Sequence, residues 1–143
     1  MTPPPEKRTI DNALKSLANE EALRVRINGD CMMPLIADGA MIEIRSRRNY
    51  LPGDILVKRV DNGQLVAHRL LGAYPRNGGL YYITRADNAG REDAPIAAAQ
   101  VIGKVSGGNC LPEAVHIPLT ARLKAVGYFL LLISHRLRQY LRV

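Results

Sequence analysis

From Leu119 to Tyr140, apolar side chains recur at Leu119, Leu123, Val126, Leu130, Ile133, Leu137 and Tyr140. Alternating steps of four and three bring them to one face of a helix, so the spacing predicts a long amphipathic helix over residues 119–143. Nearer the start, Asp11 to Ala22 reads as a shorter helix, with Leu14, Leu17 and Ala18 on one face and Asp11 near its cap. Between these helices the pattern changes to short β-rich runs separated by turn residues. Asn28-Gly29-Asp30 and Asp38-Gly39 are turns, and Met41 to Ile44 is a strand. Pro52-Gly53-Asp54 and Asp61-Asn62-Gly63 bracket two further runs, the second of which carries His68. Residues 81–105 read as a strand, a loop containing Asp87 and Asp93, and a closing strand that ends at Gly103-Lys104-Val105.

The chain has 143 residues, enough for one domain with a sizeable core plus appendages. Hydrophobic residues make up 47%, with one Phe and no Trp, so the core must be built from Val, Ile and Leu. The opening MTPPPEKRTID has no apolar run, and we expect neither a secretory signal peptide nor a membrane anchor there. A net charge of +7 raises the question of nucleic acid. No helix-turn-helix, zinc finger or aromatic RNA-binding strand is evident, and nucleic acid is not an expected partner. Two cysteines and three scattered histidines offer no metal site, and Gly78-Gly79 and Gly107-Gly108 lack the context of a phosphate loop. No cofactor is expected.

Three blocks supply chemistry: a thiol at Cys31, an imidazole at His68, and carboxylates at Asp87 and Asp93. An ordinary thiol ionises near ~8.5, and a neighbouring imidazole can take its proton and hold a thiolate–imidazolium pair. Either Asp93 or Asp87 could orient that imidazole through its second ring nitrogen. The turn at Gly29 could aim the Cys31 N–H at a developing oxyanion. The residues after it, Met32, Met33 and Pro34, would border a groove in which an extended peptide pairs with a strand. Cys110 stands in a loop without a partner motif, and a Cys31–Cys110 disulfide would consume the nucleophile.

In this order, Gly29, Cys31, Met32, Pro34 and Gly39, then Pro52 to Val57, resemble the catalytic domain shared by type I signal peptidases and LexA-like self-cleaving repressors. His68-Arg69-Leu70 is similar to the His-Arg box of the archaeal and endoplasmic-reticulum branch of signal peptidases, where other branches use lysine. Thr84, Asp87, Asn88 and Asp93 are similar to the acidic loop of that branch. Here Cys31 stands where the family has serine. The resemblance covers roughly residues 24–105 and implies a mainly β fold of coiled antiparallel sheets. It favours Asp93 over Asp87 as the orienting acid, and it implies a preference for small residues before the cut.

Together these readings divide the chain into a tail and short helix (1–23), a β domain (24–106), a linker (107–118) and the C-terminal helix (119–143). The expected function is endopeptidase cleavage of a peptide or protein precursor, as in leader or signal removal, by a Cys31–His68 dyad or a triad with an aspartate. Two alternatives remain open: an inactive peptide-binding module on the same fold, and a membrane-surface adaptor working through the C-terminal helix. That helix could lie on an anionic bilayer with Arg122, Lys124, Arg136, Arg138 and Arg142 among the phosphates, or pack on protein. The expected location is the cytoplasm or the inner face of its membrane. LexA-like self-cleavage is disfavoured because residues 1–30 contain no Ala-Gly pair; Ala89-Gly90 lies downstream. The oligomeric state is left open.

Overall fold

The computed structural model describes residues 5–142. Along the chain run α1 (Pro5–Glu20), β1 (Leu23–Arg26), β2 (Met41–Arg45), β3 (Ile55–Arg59), β4 (Leu65–Arg76), β5 (Gly79–Arg85), β6 (Ile96–Ala97), β7 (Val101–Gly108) and α2 (Leu119–Leu141). The strands form one antiparallel sheet of order β1-β2-β7-β3-β4-β5-β6. Register shifts at Glu43/Ile44, Val57/Lys58 and Leu70/Gly72 bend the strands they interrupt, as bulges do, and let a single sheet curl. The fold is mainly β, as expected.

Alternation along the strands builds two faces. On one, Val25, Ile42, Ile44, Ile55, Val57 and Ala67 form the main core, closed by Ala18 of α1 and by Met32 and Ile36. On the other, Leu56, Leu70, Tyr82 and Val101 pack together. Hairpin β4–β5 turns through Asn77 and Gly78, both at positive φ, the two-residue geometry that matches strand twist.

The N-terminal helix differs from its expected extent. It begins at Pro5, because proline costs little in a first turn whose N–H groups have no helical partner. Asp11 is therefore an interior residue, not a cap. Its side chain is buried 3.6 Å from Arg59 Nε, and burial raises its pKa against the opposing pull of Arg59 and Lys7. Ala18 is fully buried and Leu14 partly so, while Leu17 points to solvent.

Helix α2 lies along β4, but not on its leucine stripe. Ala125 is buried beside Leu71 and Ile83, with Phe129 and Leu132 packed around them. Gly72 makes room: a Cβ there would stand 2.4 Å from the Phe129 ring. At the near end Arg122 Nη1 donates to Pro52 O and to Asp54 Oδ1, each at 3.1 Å. Asp54 is 3% exposed and also accepts the Leu51 N–H, so this turn residue is the clasp for the helix. Asp54→Ala should cost about 2 kcal/mol by orphaning those donors. A urea midpoint unchanged from the parent, with α2 amides exchanging no faster, would contradict that role.

Candidate active site

The turn carrying Cys31 is sewn along the edge of β4. Asn28 N–H donates to Leu65 O (3.0 Å), three residues before His68. Asn88 N–H donates to Cys31 O (3.1 Å), and the Asn88 side-chain amide donates to Asp30 O (2.7 Å). Asn88 lies just past Arg85, which pairs with Arg69 on β4. Gly29 takes φ +95°, and its N–H donates to Asp38 Oδ1 at 2.8 Å. These bonds hold the turn at both ends, and the Cys31 N–H has no protein partner among the described residues.

His68 sits at the middle of the hairpin with β3, opposite Leu56. Its Nδ1 bonds Asp93 Oδ2. That same oxygen accepts the Thr84 hydroxyl (2.7 Å), and the Asp93 N–H donates to Thr84 O (2.8 Å), so strand β5 fixes the carboxylate. Burial pushes the Asp93 carboxyl up, but the bonds from His68 and Thr84 and the charges of His68 and Lys58 outweigh it, and its pKa falls below the ordinary value. The native state then holds fewer protons than the unfolded chain, so this contribution to stability is complete above about pH 4 and lost as pH falls through the depressed native value. Asp93→Asn should flatten that acid limb in urea midpoints measured against pH. An identical limb in the variant would refute the assignment.

Asp87 has a different place. Arg69 donates to it twice, from Nε and Nη2, at 2.8 Å each, and gives its remaining Nη1 to Gly53 O. Residues 68 and 69 alternate across the strand, so the two carboxylates serve opposite faces of β4. The Asp87 N–H also donates to Met32 Sδ at 3.3 Å. Of the residues expected to border a groove, Met33 and Pro34 are exposed, whereas Met32 is 2% exposed and belongs to the core beneath the turn.

Cys31 is half-buried and free, as is Cys110. No hydrogen bond joins the Cys31 thiol to the His68 ring, and His68 Nε2 has no protein partner among the described residues. Cys110 is raised in pKa by burial, and its thiol faces Gly107 O. Lys58 escaped notice in the sequence, although it breaks the apolar run Ile55–Val57. Its Nζ stands 3.9 Å from Asp93 Oδ2 and is largely covered. A cavity of about 270 Å³ beside the Asp87 loop is lined by Arg69, Arg85, Asp87, Lys124 and Tyr128, and includes neither Cys31 nor His68. Among the described residues no cluster of His, Cys, Asp or Glu could hold a metal ion.

No curated protein matches the chain. The sequence profile of one family, described as Peptidase S24-like, matches residues 4–106. That span contains the whole sheet but for the end of β7, together with Cys31, His68, Asp93 and the residues hydrogen-bonded to them. The chain belongs to the Peptidase S24-like family.

Proposed function

We propose that this protein is a cysteine endopeptidase that cuts a peptide or protein precursor, closest in design to the histidine-using branch of signal peptidases. The observation that carries this reading is the His68–Asp93–Thr84 chain of hydrogen bonds. It commits Nδ1 to the carboxylate and leaves Nε2 for a reacting proton, while the Asp87–Asn88 loop grips the Cys31 turn.

In the proposed reaction an extended peptide lies against the turn at Cys31. The thiol proton passes to His68 Nε2 as sulfur attacks the carbonyl carbon, and the Cys31 N–H donates to the oxyanion. The C–N bond then breaks, and the leaving amine takes the proton from His68. Water attacks the thioester with His68 accepting its proton. The C–S bond breaks, the acid departs, and sulfur regains a proton. Asp93 holds the ring tautomer and stabilises the imidazolium throughout.

Digestion of a mixed peptide library, read by mass spectrometry for new termini, tests this. Cleavage by the parent and none by Cys31→Ala supports the proposal; equal cleavage by both ends it. The missing hydrogen bond between Cys31 and His68 favours one rival, a module that holds peptide without cutting it. Such a module would retain its peptide in Cys31→Ala and show no new termini in either protein.

A further inference from the structure

We infer that α2 is an in-plane anchor that seats this protein on an anionic lipid bilayer. The inference is independent of the reading of Cys31. The helix packs on β4 through Ala125, Phe129 and Leu132. At 100° per residue, its leucine stripe lies about a quarter-turn or more round from that contact. The stripe is open along its whole length: Leu119 is 71% exposed, Leu123 62%, Leu130 57% and Leu137 56%. These side chains are not holding the fold together, and a regular exposed row of leucines on an ordered helix needs an apolar neighbour.

The charges identify that neighbour. Arg138 and, further round, Lys124 and Arg142 fall to one side of the stripe and Arg136 to the other, while Arg122 is engaged by Asp54. Residues 119–143 contain no acid at all. A second copy of the helix, laid stripe to stripe, would set cation against cation. A bilayer of anionic lipid offers hydrocarbon to the leucines and phosphate to both flanks. No described helix is long and apolar enough to cross a membrane, so α2 would lie in the surface. An apolar groove of about 420 Å³ extends the face onto the sheet, its lining including Tyr74, Phe129, Leu132, Arg136, Leu137 and Tyr140. Tyrosines with an apolar body and a polar tip suit that depth.

Co-sedimentation of the full chain with lipid vesicles tests the anchor. The protein should pellet with vesicles of phosphatidylcholine and phosphatidylglycerol in equal parts, and far less with phosphatidylcholine alone. Raising the salt should weaken the binding. The pair Arg138→Gln and Arg142→Gln should reduce partitioning about thirtyfold. Leu130→Glu should reduce it at least as much while leaving the circular dichroism and thermal midpoint intact, since Leu130 does not pack on the sheet; Leu123→Gln provides a second variant. Cys31→Ala should bind like the parent, which separates this inference from the peptidase reading. Failure to pellet with anionic vesicles would overturn it. So would equal binding to both kinds, or a dimer in sedimentation velocity that Leu130→Glu dissociates while vesicle binding stays absent.

Discussion

Cleavage of any peptide substrate should fall by about a thousandfold or more in His68→Ala, and by a similar factor in Cys31→Ala. The two losses should not add in the double variant. A base and the nucleophile it activates act as one unit, so once either is gone little remains for the other to lose. Asp93→Asn should be milder than either, because it disturbs the ring's tautomer and the stabilisation of its charge while leaving sulfur and Nε2 in place. Asp87→Asn should reduce activity through the loop that grips the Cys31 turn, and so should act with the fold: its loss of turnover should accompany a lower melting temperature. Full activity in His68→Ala would remove the imidazole from the mechanism. Lys58, close to Asp93, would then be the next base to test.

The largest effect on folding is expected at Gly108, where β7 pairs with β2. It has φ +93°, and an added Cβ would stand 2.6 Å from Ile42 Cα and 2.8 Å from Met41 O. Both neighbours are backbone of the paired strand, with no flexible side chain to swing aside. Strain at positive φ and overpacking against the sheet together make Gly108→Ala cost on the order of 4 kcal/mol. For a domain of this size that is a large part of the whole stability, and the melting temperature should drop by roughly 10 °C. A drop of only a degree or two would show that β2 and β7 can part there at little cost. Gly39, with open space around its Cβ position, should respond through its φ of +79° alone and lose much less.

The strands were legible where turn chemistry and alternation agree. Asp61-Asn62-Gly63 marks the β3–β4 connection, and the loop holding Asp87 and Asp93 falls between β5 and β7 as expected. What pattern cannot convey is partner choice. That β7 lies between β2 and β3 is a non-local pairing, and nothing in the local spacing of Val101 to Gly108 announces it. The helix α1 starts at Pro5 and not near Asp11, because a proline is tolerated in the first helical turn.

The helix α2 was found by its period, but the apolar face that the period marks is not the face that packs on the sheet. Periodicity reports where apolar groups lie on a helix, not which of them the rest of the chain covers. Gly72 helps decide that here, by leaving room against which the Phe129 ring packs. At the site, Cys31, His68 and the two aspartates were visible as chemistry, but residue types cannot say which carboxylate meets which base. Strand alternation settles it: Asp93 goes to His68 and Asp87 to Arg69. Lys58 was missed because a lysine in a strand usually marks a solvated edge, whereas this one is largely covered beside Asp93.

The central claim is that His68 activates the sulfur of Cys31. Alkylation by iodoacetamide, followed residue by residue by mass spectrometry, tests it without knowledge of a substrate. Cys110 is an internal reference in the same molecule, with a thiol that burial makes harder to ionise. The account predicts that Cys31 reacts at least about tenfold faster than Cys110, and that His68→Ala slows Cys31 while leaving Cys110 unchanged. A Cys31 that reacts no faster than Cys110, at a rate indifferent to His68→Ala, would contradict it.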